Sequence, residues 1–416
     1  MKQKKIAVIG GGASGMMAAI TASGAGASVF LYEQNDRVGK KILSTGNGKC
    51  NFSNRDLNLH YYYSETPRHV EQVLQRFDAK AAVSFFEEAG MLAKEKNGGL
   101  YPLSEQASTV LDILRIQLAQ NGIRMFTAQK VKEIRVDKNG KFIVLAESGK
   151  EEYDRVILAC GGKAAPKTGS DGNGYLLAKS MGHSLIPTVP ALVQLKCREE
   201  YLKAVAGVRL DAKIYLFADE QEKAAERGEL QLTPYGISGI VVFQLSRIAS
   251  YAILHKKKVT VYIDCLPDFP PEDFRIFSGQ RIAAMPDCTV EEFFTGILNK
   301  KLMLLFIKLA GLKPGDNYRN APRKKIDKVF ALCKKFPLTV SGPQSFENAQ
   351  VTAGGIPLTE VSDNLESLLV RGLYFAGEIL DVDGKCGGYN LHWAWASGYV
   401  AGKSAARTIP EKGDAL

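Results

Sequence analysis

The first 33 residues alternate between apolar runs and small or polar residues in the order strand, turn, helix, strand. Residues 5–9 (KIAVI) form a short run rich in β-branched side chains, as buried parallel strands do, and residues 28–32 form a second apolar run. Between them, three glycines at 10–12 are followed by small, helix-compatible residues at 16–25. The pattern predicts a β-α-β unit at the start of the chain.

The pattern changes three times further along the chain. Residues 130–162 alternate between apolar and polar positions with glycine-containing turns, which predicts a three-stranded meander that leads into a buried strand at 155–159. Strand-like runs separated by turns extend from 191 to about 265 and favour a small antiparallel barrel or sheet. From Pro270 the spacing of apolar residues becomes that of short amphipathic helices.

Composition limits the class of protein. The chain has 416 residues, of which 45% are hydrophobic and 24% charged, as in ordinary globular enzymes with two or three domains. Its longest helical apolar run, LMLLFI at 302–307, is far too short to span a bilayer, and no signal-peptide core follows the N-terminus. The seven cysteines form no CxxC pair and the five histidines are scattered. We therefore expect a cytoplasmic enzyme with free thiols and no metal.

The net charge of +10 is concentrated in one segment. Residues 296–336 contain eleven Lys or Arg against Asp316 and Asp327, which leaves this segment with a charge of +9 (11 − 2). A solvated helical face is one interpretation. The other is a surface for RNA or another anionic partner, in addition to a small-molecule substrate.

Glycines at 10, 12 and 15 give the spacing GxGxxG between the first strand and the helix. This spacing permits a tight turn, close approach of the backbone to a pyrophosphate, and close packing of helix on strand, while the helix N-terminus offers N–H groups to the phosphates. Glu33 ends the second strand, where a carboxylate binds ribose hydroxyls and disfavours a 2′-phosphate. We expect FAD or NAD to contact Gly10, Gly12, Ala13, Ser14, Gly15, Glu33 and Gln34.

The loop at 36–54 favours FAD over NAD. An NAD-binding unit usually proceeds to its next helix at this point, whereas this loop combines glycines with cations and exposed backbone, which suits a pyrophosphate and the polar edge of a larger ring. A flexible basic surface loop is the alternative. The expected contacts are Lys40, Lys41, Gly46, Asn47, Gly48, Cys50 and Asn51.

Six stretches together resemble one bacterial flavoprotein family, which includes aminoacetone oxidase and the bile-acid pathway reductase BaiN. They are GGGASGMMAA, GKKILSTGNGKCNFSN, VILACGG, KTGSDGNGYLLAKSMGH, TAGGI and GLYFAGEILDVDGKCGGYNLHWAWASGYVAG, and they cover nearly the whole chain. Lys49 and His392 depart from the family pattern, in which Arg and Gln are frequent at these positions.

The resemblance implies an α/β fold with tightly bound FAD in a discontinuous Rossmann domain of the two-dinucleotide-fold type. It also implies an inserted β-barrel-like domain and a small helical subdomain. The expected segments are 1–189 and 337–416 for the FAD-binding domain, 190–268 for the barrel-like substrate domain, and 269–336 for the basic helical subdomain.

The C-terminal motif is expected to hold the flavin ring. GLYFAG at 372–377 predicts a buried strand, after which Glu378 would accept hydrogen bonds from the ribityl chain, with Asp381 and Asp383 as alternatives. The following glycines lead into a last helix whose N–H groups would face the pyrimidine edge of the ring and stabilise its reduced form. The remaining expected contacts are Val131, Gly161, Gly377, Gly388, Tyr389, Asn390 and Leu391, while Trp393 and Trp395 are expected to pack this helix into the domain.

The pattern assigns no catalytic residue. Cys50, Cys386, Tyr389 and His392 lie near the expected ring, and each has an equally suitable role in packing. Only one dinucleotide fold is present, so NAD(P)H as a transient donor would visit the substrate cleft, which we expect between the insertion and the FAD domain. Disulfide reduction is disfavoured, because no CxxxxC pair accompanies the loop.

We expect reduction of an activated C=C bond in a small or steroid-like enone of the bile-acid type. Two alternatives remain. One is an oxygen-dependent amine oxidase of the aminoacetone type. The other is a flavin-dependent rRNA dihydrouridine synthase that docks RNA on the basic helices.

Overall fold

The computed structural model describes residues 3–407 and divides them into two units. The first unit contains the chain up to Thr188 and again from Gln350, and the second contains Val189–Ala349. The α-helices, in chain order, are α1 (Ala13–Gly24), α2 (Pro67–Arg76), α3 (Ala79–Glu88), α4 (Ala107–Gln120), α5 (Asn173–Ser180), α6 (Ile240–Leu254), α7 (Asp273–Ala284), α8 (Val290–Phe294), α9 (Lys300–Leu309), α10 (Arg323–Lys334) and α11 (Tyr389–Ala406). Within residues 3–407, no helix is long and apolar enough to cross a membrane.

The strands follow the same chain order. They are β1 (Lys5–Ile9), β2 (Ser28–Tyr32), β3 (Ser53–Asn54), β4 (Tyr62–Tyr63), β5 (Ala93–Lys96), β6 (Gly99–Pro102), β7 (Arg124–Phe126), β8 (Glu133–Val136), β9 (Phe142–Ala146), β10 (Gly149–Tyr153), β11 (Arg155–Leu158), β12 (Val189–Ala191), β13 (Leu195–Cys197), β14 (Arg209–Ala218), β15 (Gln221–Thr233), β16 (Gly236–Ser238), β17 (Val259–Asp264), β18 (Phe336–Pro343), β19 (Val351–Ala353), β20 (Leu373–Phe375) and β21 (Asp383–Gly384).

A five-stranded parallel sheet in the order β20-β11-β1-β2-β7 forms the centre of the first unit. Strands β20, β11, β1 and β2 are buried almost throughout, which explains their nearly uninterrupted apolar runs, whereas the edge strand β7 is largely exposed. The predicted meander is the antiparallel sheet β8-β9-β10. Because β20 comes from the C-terminal part of the chain, both ends build this domain, as predicted.

Helix α11 packs directly on α1. A Cβ atom added at Gly398 would lie 2.5 Å from the carbonyl oxygen of Ser14, and one at Gly402 would overlap the Ala18 carbonyl oxygen. The absence of side chains at these two positions therefore lets the helices approach at backbone distance. The structure also confirms the packing role of the tryptophans, because Trp393 and Trp395 are 2% and 0% exposed.

The second unit is a closed six-stranded barrel, β13-β16-β15-β14-β17-β18, with the helices α6 to α10. Its residues form one hydrophobic cluster in which barrel and helical side chains mix; for example, the rings of Phe306 and Phe336 lie 4.9 Å apart. The domain boundaries expected from the sequence differ from this arrangement. Residues 269–336 share a core with the barrel, and β18 closes the barrel although 337–416 was assigned to the first domain. The sequence FPLTVSGP did not predict the strand β18, because it contains two prolines and a glycine. In the structure its alternate residues are buried.

A buried histidine joins two distant segments of the first unit. Glu360 accepts a hydrogen bond from Nδ1 of His183 (2.7 Å), and Nε2 therefore accepts one from the hydroxyl of Ser367 (2.8 Å). Glu360 also accepts hydrogen bonds from Ser184, at 2.5 Å from its hydroxyl. Burial raises the pKa of Glu360, but the bonds from Ser184 and His183 outweigh it, so the pKa lies below its usual value of 4.5.

We expect the hydrogen-bonded cluster of His183, Glu360 and Ser367 to stabilise the fold less at acidic pH. A carboxylate whose pKa is lower in the folded state stabilises the fold above its unfolded pKa, and that stability is lost as the pH falls through the folded pKa. Glu360→Gln should cost about 1–2 kcal/mol at pH 7, where a charge-assisted bond is lost. The difference between variant and wild type should shrink as pH falls from 5 to 3 in urea unfolding curves. A difference that stays constant over that range would contradict the assignment.

Candidate functional site

The glycine turn after β1 has the geometry that the motif predicts. Gly10 has φ +108°, and an added Cβ would overlap the carbonyl oxygen of Ala159; at Gly15 it would overlap the oxygen of Gly10. At Gly12, the N-cap of α1, an added Cβ meets nothing within 4 Å. The lack of side chains at Gly10 and Gly15 lets the turn pack closely against the sheet. At Gly12, open space remains where a phosphate would reach the helix N-terminus.

Glu33 is buried at the end of β2, with 8% exposure. Its two oxygens accept three hydrogen bonds of 2.8 Å each, from the N–H of Gly11 and from the N–H and side-chain amide of Asn35. A carboxylate has about four acceptor positions, so capacity remains for a ribose hydroxyl. Gly11 and Asn35 were missed by the sequence analysis, because their roles depend on where the carboxylate turns.

Hydrogen bonds within the first unit hold several other residues that the sequence predicts as dinucleotide contacts. Gln34 donates to the carbonyl oxygen of Gly169 (2.6 Å), and the Ser14 hydroxyl donates to that of Ala376 (3.3 Å). Val131 is buried and its carbonyl oxygen accepts a bond from Asn173 (3.0 Å). Ala13 begins α1, and Gly161 has φ +70° in the loop after β11.

The predicted flavin loop is a tight, irregular turn between β2 and β3. Residues Ile42–Gly48 form 3-10 turns that are interrupted at Thr45, and φ is positive at Gly46, Asn47, Gly48 and Cys50. The cations do not share one role. Lys40 pairs with Asp36 (2.6 Å) and Lys41 with Glu378 (2.8 Å), whereas Lys49 pairs with Glu105 (3.0 Å) and lies on the exposed side.

Glu378 joins the loop to the C-terminal segment. Besides the ion pair with Lys41, it accepts a hydrogen bond from the N–H of Thr352 (3.0 Å). A Cβ at Gly162 would lie 2.8 Å from its oxygen, so Gly162 provides the space for the carboxylate. The Thr352 hydroxyl in turn accepts bonds from the N–H groups of Lys163 and Ala164. The geometry places Glu378 at a junction of three segments, and its contact with a ribityl chain stays a prediction.

Helix α11 begins with its N-terminus open. Gly387 and Gly388 have φ of +131° and +95°, and the first intrahelical bond runs from His392 to Gly388. The N–H groups of Tyr389, Asn390 and Leu391 therefore precede the helical hydrogen-bond ladder and point out of the helix end. The Asn390 side chain exchanges two 2.8 Å bonds with the backbone of Gly384, which holds the preceding turn.

Strand β3 supports this helix end. A Cβ at Gly388 would overlap the carbonyl group of Ser53 and lie 2.8 Å from the side-chain oxygen of Asn51. Asn54 donates to the carbonyl oxygen of Gly387 (2.9 Å). The structure thus brings the loop motif and the C-terminal motif together. Ser53 and Asn54 were not predicted from the sequence, although both lie in the motif GKKILSTGNGKCNFSN.

His392 is fully enclosed by protein. Phe77 offers only a carbonyl oxygen to Nε2 (2.9 Å), so Nε2 carries the hydrogen and Nδ1 accepts from the Ser53 hydroxyl (2.9 Å). Burial lowers the pKa of His392 to about 4. Both nitrogens are used by the fold, and this arrangement favours packing over proton transfer.

The cysteine candidates are held in the thiol form. Burial raises the pKa of Cys50 to about 11 and that of Cys386 to about 12. A thiolate is therefore strongly disfavoured at neutral pH, and neither residue has the low pKa of a nucleophilic cysteine. In residues 3–407, no cluster of His, Cys, Asp or Glu has the arrangement of a metal site.

These features fit FAD. Three features of one unit offer groups for FAD: the N-terminus of α1 for a phosphate, the carboxylate of Glu33 for a ribose, and the N-terminus of α11 for the electron-rich edge of a ring. The helix ends suit anionic groups because their N–H dipoles point outward.

We expect Glu378 to be required for flavin retention. Glu378→Ala leaves Lys41 without its anion and the Thr352 N–H without its acceptor, so the purified protein should lose its yellow colour. Glu378→Gln keeps an acceptor for Thr352 and should retain an intermediate amount of flavin, measured as the ratio of 450 to 280 nm absorbance. Full flavin occupancy in Glu378→Ala would show that the site is placed wrongly.

Comparison with known proteins agrees with this geometry. A family model described as the HI0933-like protein Rossmann domain matches residues 4–404. The 3-dehydro-bile acid delta(4,6)-reductase of Clostridium scindens is 42% identical over 97% of this chain and 99% of its own length. The ribosomal RNA dihydrouridine synthase of Haemophilus influenzae is 29% identical over 96% of this chain and 98% of its own.

A similar fold occurs in a solved structure of a 3-ketosteroid delta1-dehydrogenase from Sterolibacterium denitrificans. It superposes with a TM-score of 0.51 at 12% identity and covers 98% of this chain and 100% of that one. The family match and the full-length relatives agree with the Rossmann-type architecture described above. This chain belongs to the HI0933-like family and is an FAD-dependent oxidoreductase.

Proposed function

We propose that this protein reduces the activated C=C bond of a small or steroid-like enone of the bile-acid type, with NAD(P)H as the hydride donor. The full-length similarity to the delta(4,6)-reductase carries this proposal, since 42% identity extends over 97% of the chain. The identity to the dihydrouridine synthase is lower, at 29%. A reductase is therefore favoured over an RNA-modifying enzyme.

The chain's own groups suit electron transfer through a flavin. Bound FAD supplies the hydride chemistry. The protein holds the dinucleotide at the N-terminus of α1 and Glu33, and it directs the N–H groups of Tyr389, Asn390 and Leu391 outward from α11. Such groups stabilise negative charge that develops on a reduced ring, and they need no reorganisation during the reaction.

Anaerobic half-reactions test this function. The flavin-loaded protein is mixed with NADH or NADPH and its absorbance at 450 nm is followed; bleaching identifies the donor. The reduced protein is then mixed with a 3-oxo-Δ4,6 steroid or with oxygen, and a separate sample of the oxidised protein is mixed with aminoacetone. We expect rapid reoxidation by the enone and one product in which a C=C bond is saturated. Bleaching by aminoacetone but not by NAD(P)H would establish an amine oxidase instead.

RNA modification is the second candidate, because the positive segment 296–336 and the 29% identical synthase both allow it. The structure weakens the electrostatic part of this argument. Lys300 pairs with Glu291 (2.8 Å) and Lys334 with Asp264 (2.7 Å), and Arg319 and Arg323 also have acidic partners. These pairs reduce the field that the segment presents.

Filter binding with ribosomal RNA tests the second candidate. Binding through phosphates weakens steeply with salt, because each neutralised phosphate releases counterions. We expect only weak binding at low salt and no formation of dihydrouridine with the reduced protein. Salt-sensitive binding together with dihydrouridine in the recovered RNA would establish the RNA enzyme.

A further inference from the structure

Three tyrosines surround the open end of α11. The rings of Tyr61 and Tyr389 stack, with centroids 4.5 Å apart and 17° between their planes. Tyr62 meets the Tyr389 ring edge-on at 5.7 Å. The backbone holds this cluster in place, because β4 pairs with β21 and the carbonyl oxygen of Tyr61 accepts a bond from the N–H of Lys385 (2.8 Å).

The stack leads from solvent to the helix end. His60 is exposed and its ring centroid lies 3.8 Å from that of Tyr61; Tyr61 is half-buried; Tyr389 is 5% exposed and is the first residue of α11. Tyr389 therefore carries the first of the N–H groups assigned to the flavin ring, and its stacked neighbour Tyr61 is partly exposed to solvent. The two side chains also interact by a hydrogen bond between their hydroxyls, which connects Tyr389 to the surface for proton transfer.

Tyr389 keeps the proton that a general acid must donate. Burial, followed by the neighbouring Tyr61 and Asp56, raises the pKa of Tyr389 above its usual value of 10.0. The phenol thus carries its proton at neutral pH. Two of the other candidates lack this combination, since His392 is held by the fold on both nitrogens and the thiol of Cys50 is fully buried.

We propose that Tyr389 is the catalytic acid that protonates the α-carbon of the enone, and that Tyr61 is the positioning residue that returns a proton to it. The inference rests on the proposed enone reduction. The hydride from the cofactor forms a C–H bond at the β-carbon while the C=C π bond breaks. The electron pair at the α-carbon then forms a C–H bond with the phenolic proton. The Tyr389 phenolate regains a proton from Tyr61, and Tyr61 regains one from water.

Reoxidation of the reduced, flavin-loaded protein by the enone is the test. Tyr389→Phe should slow this step by roughly 10²- to 10⁴-fold, the usual contribution of a general acid, while bleaching by the donor stays unchanged. In D₂O, the wild type should place deuterium on one face of the α-carbon. The slow product of Tyr389→Phe should carry it on both faces, because water replaces the oriented acid.

Tyr61→Phe should lower kcat by about tenfold with KM unchanged, since a loss of about 1.4 kcal/mol in the transition state alone has this effect. Tyr61 is only half-buried, so its replacement should disturb flavin binding less than that of Tyr389. Tyr61→Phe therefore still tests the inference if Tyr389→Phe retains no flavin. Binding of the saturated ketone to the oxidised protein, followed through the flavin spectrum, should stay within about twofold in Tyr61→Phe.

Tyr62→Phe is the matched control. It removes a buried hydroxyl that has no hydrogen-bond partner in the described chain, so its kinetics and deuterium pattern should equal those of the wild type. A Tyr389→Phe protein that reoxidises at the wild-type rate and labels one face would overturn the inference alone. A wild type that no enone reoxidises would overturn the proposed function instead.

Discussion

Replacement of Gly388 by alanine is expected to abolish FAD binding and to destabilise the first unit by about 2–5 kcal/mol. The left-handed backbone at φ +95° costs a non-glycine residue roughly 1–2 kcal/mol. The added Cβ would also overlap the backbone of Ser53, and the strand would have to move at a further cost of about 1–3 kcal/mol. Because β3 holds the end of α11, the N–H groups assigned to the ring would move with it.

Gly26→Ala separates strain from overlap. Gly26 has nearly the same φ, +91°, but an added Cβ there meets nothing within 4 Å. This variant should lose only the roughly 1–2 kcal/mol of backbone strain and keep its flavin. The measurements are flavin absorbance and urea unfolding of both proteins. Equal stability of the two variants, with flavin retained in both, would show that the contact with Ser53 is unimportant.

Gly402→Ala is expected to lower the stability of the first unit although alanine favours helices. In the middle of a helix this change usually stabilises by about 0.5–1 kcal/mol. At Gly402 the new methyl group would overlap the carbonyl oxygen of Ala18, so α11 and α1 would separate. We expect a net loss of about 1–2 kcal/mol, which corresponds to roughly 2–8 °C in the thermal midpoint.

Gly24→Ala is the control for helix propensity. Gly24 is the last residue of α1, and an added Cβ there meets nothing within 4 Å. This change should leave the protein unchanged or slightly more stable. Flavin content should fall in Gly402→Ala only, because the predicted pyrophosphate site lies at the N-terminus of α1. A thermal midpoint for Gly402→Ala above the wild type would disprove backbone-distance packing of α1 and α11.

The candidate site could be predicted wherever its chemistry lies in a local motif. GxGxxG followed by a helix and a second strand indicated the nucleotide end, and its turn has the predicted geometry at Gly10, Gly12 and Gly15. The last helix also begins where the sequence predicted, at Tyr389. These features follow from backbone requirements of a few consecutive residues, and glycine spacing reports them directly.

Contacts between distant segments could not be predicted. The pairing of Lys41 with Glu378 spans 337 positions, and the bond from Ser53 to His392 spans 339. The sequence around either residue of such a pair does not reveal which residue is its partner. For the same reason His392 was a candidate for chemistry until the structure showed both of its nitrogens bonded to the fold.

The barrel boundary has a similar cause. Strand β18 lies between β13 and β17, and its pairing with β17 makes a strand of a stretch that contains Pro337 and Pro343. Local propensity opposes a strand there, and only tertiary pairing provides the hydrogen bonds that support it.

The sequence by itself determined the α/β class and the dinucleotide motif, because periodicity and glycine spacing are properties of neighbouring residues. Its motifs also resembled a known family, and that resemblance implied the discontinuous first domain. The tertiary structure decided which side chains meet. It stacked Tyr61 on Tyr389, packed Gly402 against Ala18 and enclosed His392. These contacts depend on the distances between chain segments after folding. Burial, which also depends on the fold, raises the pKa of the Tyr389 phenol and lowers that of the His392 imidazole.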